Sequence, residues 1–464
     1  MILDNRFAWL RRFGWIILLV GGASFLGWTV AHEKWLLLLA LAAVPLVAFW
    51  PVPLAFGAYV FLVPFDSVGL IGQEKGGSAI TFFAGALAGA VLLVTGYLRR
   101  RLERPPAAAL WWFLFVTWGA LSSLWAIDEN RVILFLPTAL GLLFLYVVAT
   151  SVRITREEFS WVVLATIVGG CAAAIYSSSQ YYSGVFFHGG NGRGSLIIGE
   201  TETDPNVFAT TLFLPLSLVV GRFFETRGWH RILYLAMGVL MSVAIMLTMS
   251  RGAMLGMAAM LFIYFRTLGF DRRVVIPVSI VLLSLLALPN TFLGRLENAA
   301  STGGAGRLYI WEVGFAALKR YGLIGAGLRN FDKAYIEYMG AGSKVFAHSS
   351  IDAHNIYLLV AVELGVVGLG LMGMAMFSAI RAGWRIQERL NNRLVNSPVA
   401  YEAAAWAMLA SSFFVGTLWR KSFWLVWIMY ALVVRLAKDK GGQPATGGAK
   451  AGREMRPSAL SWSR

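Results

Sequence analysis

The sequence predicts an all-α fold, a polytopic transmembrane helical bundle, and three observations support this class. Of the 464 residues, 58% are hydrophobic and only 14% are charged, a composition far too apolar for a soluble multidomain protein. Apolar runs long enough for an α-helix to cross a bilayer recur along the chain. Short clusters of arginine and lysine separate many of these runs, as is typical of cytoplasmic loops.

Because three of the apolar runs are short, we expect about 12 to 14 membrane helices. The candidate runs are Gly14–Ala31, Trp35–Phe49, Pro53–Phe65, Ile80–Leu98, Ala107–Ala126, Val132–Thr150, Phe159–Tyr181, Val207–Phe223, Ile232–Ser250, Gly252–Phe265, Val274–Leu293, Asn355–Ile380, Tyr401–Leu418 and Ser422–Val434.

The basic clusters fix an expected orientation, because arginine and lysine accumulate on the cytoplasmic side. They fall on one side of the predicted bundle, which makes both termini cytoplasmic. The organisation predicted is N-terminal helices over residues 1–294 with an outer loop at 182–206, a large outer loop at 295–353, C-terminal helices over 354–437, and a disordered cytoplasmic tail at 438–464.

The charge distribution argues against a nucleic-acid partner, and the cysteine content argues against an intramolecular disulfide. The formal net charge is +16, but most of it lies in the short basic loops and the tail, so we expect contacts with membrane lipids and none with nucleic acid. The single cysteine, Cys171, lies inside a predicted helix, so no intramolecular disulfide holds the outer loops together.

His354 is the first candidate for chemistry. Asp352 or a neighbouring residue can cap the helix that follows, which would place His354 in its first turn at the water boundary. The positive end of the helix dipole favours a neutral imidazole, which can accept a proton. The alternative is an interfacial histidine that only bonds a loop carbonyl. Asn355 and Tyr357 adjoin it as possible supporting residues.

Three arginines on the outer side are candidates for binding phosphate. Arg251 lies between two apolar runs, Arg307 follows a glycine-rich stretch, and Arg193 lies in the glycine-rich part of the other outer loop. Guanidinium matches phosphate oxygens bidentately. The alternative is that each arginine pairs with lipid headgroups or with a carboxylate such as Glu297, Glu312 or Asp332.

The outer loop 182–206 ends in the alternating carboxylates Glu200, Glu202 and Asp204, followed by Asn206. Such a cluster could hold Mg²⁺ or Mn²⁺, but the same pattern describes a solvated turn leading to Pro205 at a helix start. No zinc spacing, phosphate-loop motif or nucleophile elbow occurs. We therefore predict that the site uses no metal and no cofactor. Glu363, deeper in the His354 helix, is predicted to make an interhelical structural contact.

The sequence resembles the superfamily of O-antigen ligases and O-antigen polymerases, bacterial integral membrane glycosyltransferases, and is most similar to the ligases. The specific part of the resemblance runs from about 236 to 372 and includes Ser250-Arg251-Gly252-Ala253, Gly306-Arg307, Gly325-Ala326-Gly327 and His354-Asn355. The ten residues between His354 and Gly365 fit the spacing of the ligases. One departure is Trp311, which stands four residues after Arg307 where ligases often have leucine.

The resemblance implies a GT-C-like architecture with a large helical periplasmic loop. It also implies transfer of a preassembled glycan from undecaprenyl diphosphate to a sugar hydroxyl of lipid A–core, at the periplasmic face of the bacterial inner membrane. The reaction would be a metal-independent inverting displacement. His354 would be the base, the three arginines would bind the diphosphate, and the supporting residues would be Asn355, Tyr357, Asp204 and Asn206.

Other functions stay open at this level. The same superfamily includes O-antigen polymerases and protein O-oligosaccharyltransferases. A transporter or flippase of lipid-linked glycans could also use arginines to grip a diphosphate, although it would need no base.

Overall fold

The computed structural model describes residues 50–66, 80–188, 192–198, 201–269, 307–339, 351–389 and 398–441. These residues are helical apart from turns, loops and one antiparallel pair of two-residue strands, β1 (Ile197–Ile198) and β2 (Thr201–Glu202). The predicted all-helical class is confirmed. The runs Gly14–Ala31, Trp35–Phe49 and Val274–Leu293 lie outside the described residues, as do residues 295–306 and 340–350 of the predicted large outer loop and most of the predicted tail.

The described helices follow the apolar runs closely. They are α1 (Val52–Phe65), α2 (Ile80–Leu98), α3 (Ala107–Leu121), α4 (Glu129–Ser151), α5 (Arg156–Tyr182), α6 (Pro205–Thr211), α7 (Phe213–Glu225), α8 (Trp229–Leu247), α9 (Arg251–Leu268), α10 (Arg307–Tyr321), α11 (Phe331–Tyr338), α12 (Ile356–Arg389), α13 (Val399–Ser411) and α14 (Lys421–Gly441).

Seven helical segments within the described ranges are long and apolar enough to cross a membrane: α2, α3 with the turn after it, α4, α5, the α6–α7 pair, α8 and α12. The chain is therefore a multi-pass membrane protein. Helices α10 and α11 lie within residues 295–353, the predicted large outer loop. They pack with each other and with the start of α12 around a small apolar core that includes Ala317, Tyr335 and Leu358.

Aromatic side chains fill the centre of the bundle around α14. Trp424 and Trp427 are buried there, and the Trp424 ring lies 4.8 Å from that of Trp112 on α3. Such aromatic pairs contribute beyond their buried area. Helix α14 is thus fixed by aromatic packing. The C-terminal end of α13 meets the start of α12, where the Ile356 amide donates to the Ser412 carbonyl at 3.0 Å.

Helix α12 is broken at Gly365, where φ is +68°. The break frees backbone carbonyls that the segment between α10 and α11 satisfies. The amides of Ala326 and Gly327 donate to the carbonyls of Val362 and Glu363, each at 2.8 Å. The Trp118 indole donates to the Leu364 carbonyl at 2.9 Å. The segment between α10 and α11 is therefore hydrogen-bonded to α12, the helix that begins just after the candidate histidine.

The interhelical structural contact predicted for Glu363 is confirmed. Its side chain is buried, and Oε1 accepts a hydrogen bond of 3.3 Å from the amide of Phe331, the first residue of α11. The contact joins α12 to the outer-loop segment at the level of the break.

Replacing Gly365 with alanine should destabilise the fold. The left-handed backbone there costs a non-glycine residue about 1–3 kcal/mol, and an added Cβ would collide with the Leu323 carbonyl. We expect a clear drop in the thermal unfolding temperature in detergent. Gly370→Ala on the same helix is the control, because a Cβ there meets nothing within 4 Å. Equal unfolding temperatures for the two variants would contradict the docked break.

Candidate active site

Four helix starts bring charged residues together. Asp204 caps α6, Arg251 and Arg307 are the first residues of α9 and α10, and His354 stands just before α12. Arg307 interacts electrostatically with Arg251, Asp204 and Asp352. His354 interacts with Asp352, Arg307 and Asp204. The structure thus unites residues from both predicted outer loops and from the turn between α8 and α9.

The local backbone of His354 differs from the prediction. Asn355 caps α12, because its Oδ1 accepts from the amides of Tyr357 at 2.9 Å and Leu358 at 3.1 Å. His354 therefore precedes the cap, with a left-handed φ of +47°, and does not lie in the first turn. Asp352 does not cap the helix either. Its Oδ1 accepts from the His354 amide at 3.1 Å.

Two contacts hold the residues ahead of the histidine. The Trp311 indole on α10 donates to the Ala353 carbonyl at 3.0 Å. The carboxylate of Asp352 lies against Gly416, in the connection between α13 and α14, where an added Cβ would be 2.5 Å from Oδ2. Neither Trp311 nor Gly416 carries a sequence signal for this role, because the partners are roughly 40 and 60 residues away along the chain.

Burial lowers the pKa of His354 below its ordinary value, and the positive charge of Arg307 lowers it further. The negative charges of Asp352 and Asp204 oppose this shift. The predicted direction, toward the neutral imidazole, is confirmed. Its largest cause is desolvation, whereas the sequence pointed to the helix dipole. A neutral, half-buried imidazole beside a cation can act as a proton acceptor.

Arg307 is half-buried close to a second positive charge. Burial lowers the pKa of its guanidinium, Arg251 lowers it further, and Asp204 and Asp352 oppose the effect. Arginine nonetheless stays charged near neutral pH. Arg251 is exposed at the start of α9, after the Ser250 cap, where the helix dipole disfavours a cation. Two neighbouring arginines in unfavourable positions suit an anionic ligand.

Arg193 is placed differently from the other two arginines. It is buried, its Nε donates to the Thr248 carbonyl at 2.8 Å, and its Nη2 donates to Oδ1 of Asn206 at 2.8 Å. These bonds join the outer loop 182–206 to the turn that precedes Arg251. Arg193 and Asn206 are thus connected to the residues that precede Arg251.

The other predicted residues also have defined contacts. The Tyr357 hydroxyl donates to the Leu409 carbonyl at 2.9 Å, and its ring lies 4.4 Å from that of Phe413, so Tyr357 ties α12 to the end of α13. Asp332, a possible partner for the site arginines, forms its ion pair with Arg131 at 2.5 Å.

Glu202 and Asp204, the described carboxylates of the predicted cluster, have different partners. Glu202 contacts His188, and Asp204 accepts from the amides of Asn206 and Val207 at 2.8 and 3.2 Å. Glu200 and Glu297 lie outside the described residues. Within the part of the chain that the structure describes, no group of three or more histidine, cysteine or acidic residues could hold a metal ion.

Comparison with known proteins finds one family whose model matches part of this chain. Residues 236–373 match the family model of the O-antigen ligase. No curated protein matches the chain. The matched residues include the second half of α8, helices α9, α10 and α11, and the first part of α12, while Arg193 and Asp204 precede them. Residues 236–373 are therefore similar to the O-antigen ligase family, and this matched segment contains Arg251, Arg307 and His354.

Proposed function

We propose that this protein is an O-antigen ligase that transfers a preassembled glycan from undecaprenyl diphosphate to a sugar hydroxyl of lipid A–core. The observation that carries the proposal is the half-buried His354 with a lowered pKa beside Arg307 and Arg251. The match of residues 236–373 to the O-antigen ligase family model supports lipid-linked glycans as substrates. The reaction takes place at the periplasmic face of the bacterial inner membrane, with both termini in the cytoplasm.

His354 acts as the general base. A sugar hydroxyl becomes an effective nucleophile when a base removes its proton. The acceptor oxygen bonds to the anomeric carbon of the donor sugar as the bond from that carbon to the diphosphate oxygen breaks. The proton goes to the imidazole of His354, and the bonding electrons leave with undecaprenyl diphosphate. This single displacement inverts the anomeric centre.

Arg251 and Arg307 bind the diphosphate and stabilise the negative charge that develops as it leaves. Their guanidinium groups supply bidentate donors, and burial of Arg307 strengthens its interaction with an anion. Arg193 and Asn206 hold the turn before Arg251, and Asp204 and Asp352 adjust the charge around His354.

Transfer with purified protein tests the function directly. Lipid-linked glycan is supplied with lipid A–core, and ligation predicts a product in which the glycan is attached to the core. Addition of the glycan to a second lipid-linked glycan would identify a polymerase. Attachment to a protein serine would identify an oligosaccharyltransferase. Movement of the donor across a vesicle membrane without transfer would identify a transporter.

Transfer should not depend on a divalent metal ion, because two arginines supply the positive charge at the leaving group and Asp204 is engaged as a helix cap. We expect the transfer rate to be unchanged by EDTA. Loss of activity on chelation, with recovery on adding Mg²⁺ or Mn²⁺, would instead move the site toward Glu202 and Asp204.

The pH dependence of transfer should follow the lowered pKa of His354. The rate should fall on acidification only below the ordinary histidine pKa of about 6.5, because the protonated imidazole cannot accept a proton. Asp352→Asn keeps an acceptor for the His354 amide but removes a charge that raises this pKa. We expect the acidic limb of the rate profile to move to lower pH.

The pKa change can be measured without transfer. Diethyl pyrocarbonate acylates neutral imidazole, so the pH at which His354 becomes reactive, read by peptide mass spectrometry, should also fall in Asp352→Asn. Asp439→Asn, at the end of α14, is the control. A shift of His354 reactivity to higher pH would contradict the electrostatic assignment.

A further inference from the structure

A cavity of about 500 Å³ lies between α2 and α4, separate from the residues of the candidate active site. Its walls are mainly apolar, and its rim includes Phe82 and Phe144, which are 41% and 42% exposed. Both helices are long and apolar enough to cross a membrane. The size falls within the usual range for small-molecule sites, and the walls suit a hydrocarbon chain entering from the bilayer.

One end of this groove is polar and carries an excess of positive charge. Arg420 and Lys421, at the start of α14, and Asp66, after α1, line it together. Lys421 forms an ion pair with Asp66, which also accepts from Thr81. Two cations and one carboxylate leave a net charge of +1. Arg420 is exposed there and has no ion pair among the described residues.

Two residues that line the groove also carry buried donors. They are Tyr59 and Trp419, and neither the Tyr59 hydroxyl nor the Trp419 indole nitrogen has a hydrogen-bond partner within the described part of the chain. Unpaired buried donors are rare, because each costs about 1–3 kcal/mol when left unsatisfied. Tyr59 packs beside Gly85, about one helical turn deeper than Thr81. A ligand whose acceptor oxygens lie below its charged group could satisfy these donors after a small movement of the side chains.

We propose that this groove binds an anionic phospholipid of the bilayer, with its phosphate at Arg420 and Lys421, an ester oxygen at Tyr59 or Trp419, and one acyl chain between α2 and α4. The single net positive charge matches a phosphodiester, which carries one negative charge. A lipid diphosphate carries more, and the two site arginines at the starts of α9 and α10 are available for it. The proposal does not depend on the transferase function.

The position of the groove connects it to the active site. The stretch between α13 and α14 carries Trp419 and Arg420 at one end of the groove, and Gly416 of the same stretch lies against Asp352. A lipid bound at Arg420 would therefore contact the stretch between α13 and α14, and this same stretch packs against Asp352, two residues before His354.

Native mass spectrometry of the full-length protein in detergent tests the site. The probes are phosphatidylglycerol and phosphatidylethanolamine with identical acyl chains. We expect the unmodified protein to retain one phosphatidylglycerol at least about tenfold more tightly than phosphatidylethanolamine, a difference of about 1.4 kcal/mol.

Three variants, each with a matched control, locate the bound lipid. Gly141→Leu places a side chain in the groove, whereas Gly370→Leu changes an exposed glycine of α12. Arg420→Gln removes the cation at the polar end, and Arg385→Gln removes an exposed cation from the far part of α12.

Tyr59→Phe removes only a hydroxyl, and Tyr146→Phe removes another unpaired buried hydroxyl that does not line the groove. Each groove variant should lose the preference for phosphatidylglycerol, and each control should keep it. Tyr59→Phe leaves the volume of the side chain nearly unchanged. Its result therefore does not depend on whether the fold tolerates a larger side chain, as that of Gly141→Leu does.

Three outcomes would overturn the proposal. Equal retention of the two phospholipids by the unmodified protein would exclude a charge-selective site. Displacement of phosphatidylglycerol by undecaprenyl phosphate, lost in Arg420→Gln, would assign the groove to a prenyl substrate. Absence of any retained lipid, with Gly141→Leu lowering the unfolding temperature, would mean that another part of this chain fills the groove.

Discussion

His354→Ala should lower the rate of glycan transfer by roughly 10²–10⁴-fold, the usual contribution of a positioned general base. The half-buried imidazole has a lowered pKa, beside Arg307, so it can accept the proton of the attacking hydroxyl. His354→Gln should lose activity similarly, because an amide retains polarity but cannot serve as a base at neutral pH. Initial rates with purified protein, donor and acceptor measure both effects.

His230→Ala is a matched control for this substitution. His230 is exposed at the beginning of α8, roughly 26 Å along that helix from its other end, which leads to Arg251. Donor binding, followed as a thermal shift, should persist in His354→Ala because the arginines remain. Near-normal transfer by a folded His354→Ala protein would refute the general-base assignment.

Much of the bundle follows from hydropathy alone. The runs Ile80–Leu98 and Phe159–Tyr181 differ from α2 and α5 by three residues or fewer at each end, because about 20 apolar residues must be helical to cross a bilayer. The break in α12 does not follow from hydropathy, since apolar residues continue on both sides of Gly365. It depends on carbonyl partners supplied by Ala326 and Gly327, which lie in a different segment of the chain.

The sequence was sufficient to predict which residues belong to the candidate site. It was less informative about what each of them contacts. The charge pattern of the loops predicts that Arg251 and Arg307 share one side of the membrane, and the structure brings the two arginines close together. Distinguishing Arg193 from them required the Thr248 carbonyl, 55 residues away. The position of His354 before its helix cap depended on whether Asp352 or Asn355 capped α12. Both residues are good caps, so sequence alone could not choose between them.

Arg307→Lys should lower transfer by about 10²–10³-fold, comparable with loss of one donor that stabilises a developing anion. Lysine preserves the charge, but it replaces a planar fork of donors with a single, strongly hydrated ammonium group. Arg251→Lys should also impair transfer, by a smaller factor, because Arg251 is exposed and its interactions are more screened by water. Steady-state rates over a range of donor concentrations would separate weaker binding from slower transfer.

Arg320→Lys is the control for these variants, because Arg320 is exposed near the other end of α10, with Glu337 only 3.8 Å away as an ion-pair partner. A second variant tests the physical cause. Arg307→Gln removes one of two neighbouring like charges from a half-buried position, so the unliganded protein should unfold at an equal or higher temperature while transfer falls. Such opposite effects on stability and activity are expected of a residue held in place for its ligand. If lysine were fully tolerated at both positions, general attraction between positive charge and phosphate would be sufficient, and a bidentate arginine clamp would be wrong.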